Sequence, residues 1–346
     1  MYIFCCYRHA WLKYLKMPNS HLAKAFAIVG YDGVKLLEAV DANMEAEKAA
    51  DHETLFLNPS VLFMYHHETE KENEILPLLE WVIETRFSRP NAYQVVKEPK
   101  QPDFHTVRLT DRQCNTTYLS VLIFYEAFKC EAKHGQVFIP KFLVVISEKQ
   151  MSDLFKICLK NLYEKITFED GGVECLNMAI CNMVNHPLPP IGQSNLLHLG
   201  FGDQMIVHSP VAKSVPKTGL TVHRLVRVLG PENTARAFFC LISQLQVTMY
   251  SSDVSFLTDS CEALLALLYP FEYFFIYAPV QTKRCLDRYK TLENPTPFFI
   301  GICEEPNDVL SEVSDKVVLV NLDRKTINFP ELSKYFKHSR PGSIKL

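Results

Sequence analysis

The eighteen residues at 263–280, ALLALLYPFEYFFIYAPV, carry a single charged side chain, Glu272. A run this apolar belongs either in a bilayer or in a protein core. Pro270 interrupts it, because proline cannot supply a helical N–H. Glu272 would also stand near the middle of a bilayer, where a carboxylate is costly. The run therefore reads as two core elements. Leu257, Cys261, Leu264, Leu265 and Leu268 keep helical spacing up to Pro270, and FFIYAPV after it predicts a buried strand.

The surroundings extend this pattern. Val222, Leu225, Val226 and Leu229 stand at i, i+3, i+4 and i+7, which predicts a helix. Gly230 is placed to cap it and Pro231 to begin the next, where Ala235, Phe238, Phe239 and Ile242 repeat the spacing. QVTMYS (246–251), PFFIGI (297–302) and KVVLVNL (316–322) predict further strands, and TKRCLDRYKTL (282–292) a helix between two of them. Short apolar strands alternating with helices predict a mostly parallel sheet covered on both faces.

The N-terminal half reads differently. AKAFAIVGYDG (24–33) predicts a strand and turn, EAVDANMEAEKAADHE (38–53) a solvated helix or loop, and EILPLLEWVIETRF (74–87) a helix. SRPNAYQVVKEPKQPD (88–103), with three prolines, predicts a connector. FHTVRLT (104–110) and YLSVLIFYE (118–126) predict a hairpin, KFLVVIS (141–147) a third strand, and Met151, Leu154, Phe155, Cys158 and Leu162 one face of a helix. Residues 166–220, with GG, HPLPP, GQS and PKTG, predict a linker holding a short helix near 172–184.

Composition narrows the function. The 346 residues suffice for two domains, and the net charge of −3 argues against nucleic-acid binding, which calls for basic excess. Eleven cysteines include no C-x-x-C pair and mostly lie in apolar runs, which fits small hydrophobes in a reduced, cytoplasmic setting. The N-terminal MYIFCCYRHAWLKYLK has too short an apolar run for a secretory signal, and Cys5 and Cys6 beside basic residues leave acylation open.

Motifs for covalent chemistry are missing. No G-x-x-x-x-G-K-[ST] loop and no G-x-S-x-G elbow occurs, and GFGDQM (200–205) reads as a turn. His66, His67 and Glu68 in YHHETEKE (65–72) are neighbours whose side chains diverge, so they converge poorly on a metal. The basic tail KYFKHSRPGSIKL (334–346) reads as a frayed end. No catalytic residue, metal or cofactor is expected. An α/β chain of this kind suits a binding module.

One family matches the ordered set of elements. LLALLYPFEYFFIYAPV, LENPTPFFIGI and VVLVNLDRKTI resemble the central segment of DENN domains. VRVLGPENTARAFFCLISQLQVTMYSSDVSFLTDSCEAL continues the resemblance upstream, as do FIPKFLVVISEKQMSDLFKICLKNLYEKI and the hairpin strands FHTVRLTD and YLSVLIFYE, so that roughly 104–330 is covered. Tyr273 stands where the family usually has Trp, and Gln281-Thr282 where it usually has Leu-Pro. The family's third, helical segment is expected to be missing or vestigial.

The resemblance implies a bilobed α/β module. Residues 1–23 form a leader, 24–166 a longin-like upstream lobe that is atypical before 104, and 167–220 a linker. Residues 221–330 form a central α/β lobe with a mostly parallel sheet between helices, and 331–346 a tail. The implied activity is guanine-nucleotide exchange on a Rab-family GTPase in vesicle trafficking, with no covalent step. The implied location is cytoplasmic, with peripheral recruitment to membranes and no transmembrane segment. The alternative is a DENN-fold Rab-binding or scaffold module that lacks exchange activity because it is shortened. An unrelated α/β enzyme is the third reading.

The family supplies no invariant catalytic residue. Open α/β sheets bind ligands beyond the carboxyl ends of their strands. That rule selects Ser252 and Asp253 after one predicted strand, and Thr282, Lys283 and Arg284 after another, as Rab-binding candidates. The same residues suit local roles, with Asp253 and Ser255 good helix N-cap types.

Overall fold

A computed structural model describes residues 21–31, 59–83, 96, 98–110, 116–130, 135–168, 173–190, 192–200, 202–209, 221–271, 273–293, 295–310 and 316–329. The sequence-based assignments at 38–53 and 334–346, and most of the 88–103 connector, fall outside these residues. The described residues fall into two compact units, one of residues up to 83, 96–104 and 109–209, the other of 105–108 and 221–329.

The first unit is built on a five-stranded sheet, β1 (Ala25–Gly30), β2 (Ser60–His66), β3 (Asp103–Thr110), β4 (Thr116–Cys130) and β5 (Gly135–Ser147), in the order β2-β1-β5-β4-β3. β1 runs antiparallel to both β2 and β5, and β4 is antiparallel to β5. Helices α1 (Glu72–Val82), α2 (Ser152–Phe168) and α3 (Val173–Asn185) accompany it. Phe26, Leu122 and Leu143 from the sheet share one core with Phe155 and Leu162 of α2 and Met183 of α3.

Within the stretch expected to be a linker, α3 is followed by a hairpin of β6 (Ser194–Gly200) and β7 (Asp203–His208). Leu197, Leu199 and Val207 of this hairpin lie in the first unit's core. HPLPP and GQS lie between α3 and the start of β6, while GG and PKTG fall outside the described residues. Gly200 and Gly202 both take positive φ where β6 gives way to β7, so GFGDQM starts at a turn and runs on into β7. His66 and His67 each bond locally, to the His67 carbonyl and to the Thr69 hydroxyl. Among the described residues no group of three His, Cys, Asp or Glu is placed to hold a metal.

The second unit carries a five-stranded sheet in the order β12-β11-β8-β10-β9. Its strands are β8 (Val247–Tyr250), β9 (Ile276–Gln281), β10 (Phe298–Ile302), β11 (Val318–Asn321) and β12 (Thr326–Asn328). β11, β8, β10 and β9 pair in parallel, and β12 closes one side antiparallel. The fold is α/β, as the alternating pattern predicts. Both faces are covered. Leu257, Cys261 and Leu264 of α6 (Val254–Ala266) pack on Met249, Phe299 and Val320, together with α4 (Thr221–Leu229) and α5 (Pro231–Ile242). Leu286 of α7 (Lys283–Tyr289) and Val309 of α8 (Pro306–Leu310) pack on Phe298, Ile300 and Ile302 from the other side.

Three details depart from the sequence reading. The strand expected at 274–280 begins at Ile276, runs to Gln281 and lies at the end of the sheet order. Phe271 and Phe274, expected in the core, are 73% and 81% exposed. They occupy the turn between α6 and β9, where the chain reverses and neither element's buried face continues. In α5 the stripe of Ala235, Phe238, Phe239 and Ile242 is not the buried one. Thr234, Ala237, Cys240 and Leu241 face the core, and Phe239 is 62% exposed. Gly230, at φ 84°, sets the entry direction of α5, and the Thr234 hydroxyl bonds back to the Gly230 carbonyl at 2.7 Å.

Candidate functional site at the sheet's carboxyl edge

Chain order and spatial order in the second unit's sheet define a switch point. β8 and β10 are neighbours, but β8 continues through α6 to β9, and β10 continues through α8 to β11 on the opposite side of β8. α6 packs on one face and α8 on the other. Connections that part to opposite faces leave a crevice at the strand carboxyl ends, where open α/β sheets take their ligands.

The side chains at this edge follow from the strands beneath them. β8 is buried throughout because both its faces are covered. The first residues beyond it are Ser251, fully buried, and Ser252, exposed. The Ser251 N–H donates to the Ile302 carbonyl at 3.3 Å, and the Leu322 N–H to the Tyr250 carbonyl at 2.9 Å, so the ends of β8, β10 and β11 stay in register. The Tyr250 hydroxyl donates to Glu305 Oε1 at 3.0 Å. Burial, then this bond and the carboxylate's charge, push the Tyr250 hydroxyl up to about 12, so it remains a donor at neutral pH.

Asp253 is the N-cap of α6, its Oδ1 accepting the Phe256 N–H at 2.9 Å. Arg224 of α4 stands over the Phe256 ring, 4.3 Å from its centroid, with Nη2 3.9 Å from Asp253 Oδ2. Asp323, after β11, accepts from the Ser251 hydroxyl at 2.8 Å and from the Ser252 N–H at 2.9 Å. Burial works to raise its pKa, but the bonds from Ser252 and Ser251 outweigh that and hold the carboxyl below its ordinary value.

The two groups of candidates lie on either side of β10. Ser252 and Asp253 sit at the switch point itself. Thr282 and Lys283 follow β9, one strand beyond β10. Thr282 is 1% exposed, and its hydroxyl caps α7 by accepting the Cys285 N–H at 3.3 Å. The Lys283 N–H donates to Glu304 Oε2 at 3.0 Å, which joins the loop after β10 to the start of α7. Arg284 lies in the first turn of α7, its side chain outside the described residues. Sequence reading missed Arg224, Glu304, Glu305 and Asp323. The last three directly follow strands that were predicted, so the carboxyl-end rule could have selected them.

Buried thiols elsewhere are poor nucleophiles. Burial pushes Cys158 up to about 12 and Cys240 up to about 11, and raises Cys261 well above its ordinary value. They pack as small hydrophobes.

Comparison with known proteins decides the family. The sequence model of the DENN (AEX-3) domain matches residues 138–325, more than half of the chain. The chain belongs to the DENN family. The DENN match takes in β8–β11 and all the edge residues just described. Similar proteins include DENN domain-containing protein 3 of Mus musculus, 23% identical over 259 residues, which are 69% of this chain and 20% of that protein. Myotubularin-related protein 5 of Caenorhabditis elegans is 30% identical over 145 residues, 42% of this chain and 8% of that protein. Elicitor of plant defense protein 1 of Fusarium odoratissimum is 29% identical over 160 residues, 46% of this chain and 17% of that protein. The chain spans no more than a fifth of the length of these relatives. Among the described residues no helix of this DENN chain is long and apolar enough to cross a membrane.

Proposed function

We propose that this chain binds a Rab-family small GTPase and promotes release of its GDP, in vesicle trafficking at the cytoplasmic face of membranes. The DENN match over residues 138–325 carries this reading. The surface assigned to the GTPase is the carboxyl edge of the parallel sheet. Ser252, Asp253 and Lys283 are exposed there; Thr282 is buried and serves that edge as the cap of α7, and Arg284 follows in the helix's first turn.

Exchange of this kind is a coupling of two binding equilibria. A protein that prefers the nucleotide-free GTPase must weaken nucleotide affinity by the same factor. What the edge has to supply is a rigid, shaped set of hydrogen-bonding and charged groups. The capped helices α6 and α7 and the Asp323 bonds provide that rigidity. The experiment is release of a fluorescent GDP analogue from a panel of purified Rab proteins, with the chain at substoichiometric amounts. Faster release from one or a few Rabs supports the reading. No acceleration, together with capture of a nucleotide-free Rab, would replace it with a binding module that lacks exchange activity.

A further inference from the structure

Asp323 is placed to govern the turn that carries two of the candidate residues, although it lies 72 residues further along the chain from Ser251. Its two oxygens take different donors, the Ser251 hydroxyl at 2.8 Å and the Ser252 N–H at 2.9 Å. Ser251 passes the constraint on, because its Oγ also accepts the Asp253 N–H at 3.2 Å. Three consecutive residues of the β8–α6 turn are thus fixed by one carboxylate. The backbone on either side of Asp323 is itself held, since the Leu322 N–H bonds the Tyr250 carbonyl at 2.9 Å and the Arg324 N–H bonds Asn321 Oδ1 at 2.8 Å.

These bonds are not needed to start α6. Asp253 caps that helix with its own Oδ1. The Asp323 bonds do something else: they fix where the turn stands relative to β11. Charge-assisted bonds to a backbone N–H and to a buried hydroxyl are among the stronger ones available. They leave Ser252 exposed, and Asp253 beside the half-exposed Arg224.

We infer that Asp323 is the positioning residue of the carboxyl edge, holding Ser251–Asp253 in the arrangement that presents Ser252, Asp253 and Arg224 to the GTPase. The inference rests on the proposed Rab reading. It adds a residue that acts through others and does not itself touch the partner.

The test uses the full chain and the variants Asp323→Ala, Asp323→Asn, Ser251→Ala and the double variant Ser251→Ala/Asp323→Ala. GDP release is measured against Rab concentration, and amide hydrogen exchange is followed over 251–256. Asp323→Ala should raise the half-saturating Rab concentration about tenfold, the loss expected for a charge-assisted bond, and leave the maximal rate unchanged. Asp323→Asn keeps an acceptor for the Ser252 N–H and should recover part of the loss. The double variant should lose less than the sum of the two single losses, because the Ser251–Asp323 bond is removed by either change. Protection of the Ser252 and Asp253 amides should fall about tenfold.

A residue needed only for folding would lower the maximal rate with the active fraction and leave half-saturation unchanged, and that result would overturn the inference. If Asp323→Ala does not fold, Asp323→Asn and Ser251→Ala carry the same readouts. If the unaltered chain discharges no Rab, the proposed function fails by itself. Amide protection then decides the role of Asp323: lost protection at Ser252 and Asp253 in Asp323→Ala, or in Ser251→Ala where Asp323→Ala does not fold, upholds the positioning of the turn, and unchanged protection overturns it.

Discussion

A β-carbon on Gly301 would stand 1.9 Å from the backbone carbonyl oxygen of Pro279. The strands β9 and β10 approach there through an irregularity in register between Ile300 and Ile302. Leu257 of α6 closes the third side, its Cγ 3.2 Å from the same point. The obstacle is backbone, so it cannot swing away as a flexible side chain would. Gly301→Ala should therefore destabilise the second unit by about 1–3 kcal/mol, the usual cost of forcing atoms into a packed interior. Urea denaturation measures it, and an unchanged midpoint would contradict the geometry.

Tyr277, partly buried, donates its hydroxyl to Glu262 Oε1 at 2.7 Å and so ties β9 to α6. Tyr277→Phe removes a bond to a charged acceptor and should cost about 1.5–3 kcal/mol. Burial first, then the Glu262 charge, raise the Tyr277 pKa well above its ordinary value. The sign for pH follows. Above the unfolded tyrosine pKa of about 10 the folded state keeps a proton that the unfolded state releases, so stability falls as pH rises past that value. The stability gap between the unaltered chain and Tyr277→Phe should narrow over the same range. Denaturation at pH 8 and pH 10.5 compares them.

Much of the second unit was legible because its strands are short, apolar and separated by helices. Periodicity and the stop at Pro270 therefore found β8, β10, β11, α4 and α6. The orientation of α5 was not legible. Ala235, Phe238, Phe239 and Ile242 form the more apolar stripe, yet the chain enters α5 from Gly230 at an angle that turns Ala237, Cys240 and Leu241 inward. Spacing gives the period of a helix and not its rotation. The β6–β7 hairpin was hidden for a different reason. Its apolar alternation is short, and its flanking Gly and Pro residues read as a linker. At the edge, the strand-end rule selected Ser252 and Asp253 without the topology. That Asp323 and Glu305 both reach the end of β8 depends on the order β11-β8-β10-β9, which no local pattern encodes.

The exposed aromatics of the α6–β9 turn make a contrasting case. Phe271 and Phe274 belong to the most apolar run of the chain but bury little of themselves. Replacing either by Ser should change stability by less than about 0.5 kcal/mol, as at an ordinary surface position. Phe299, fully buried between β8 and β9 in the same sheet, should lose about 3–5 kcal/mol on replacement by Ala. Thermal denaturation of the three variants side by side tests the assignment. A large loss at Phe271 or Phe274 would mean that the turn is packed.

Asp253 has two separable roles. As the N-cap of α6 it needs only a side-chain oxygen that accepts the Phe256 N–H. Asp253→Ala should cost about 0.5–2 kcal/mol, whereas Asp253→Asn, an equally good cap, should leave stability nearly unchanged. The charge is another matter. Only the carboxylate balances Arg224 at 3.9 Å and offers an anion at the switch point. Under the proposed function, Asp253→Asn should keep the melting temperature and still weaken Rab-dependent GDP release, with the effect shrinking as salt is raised because the site is exposed. Equal release by Asp253→Asn and the unaltered chain would leave Asp253 with the helix alone and remove it from the surface assigned to the GTPase.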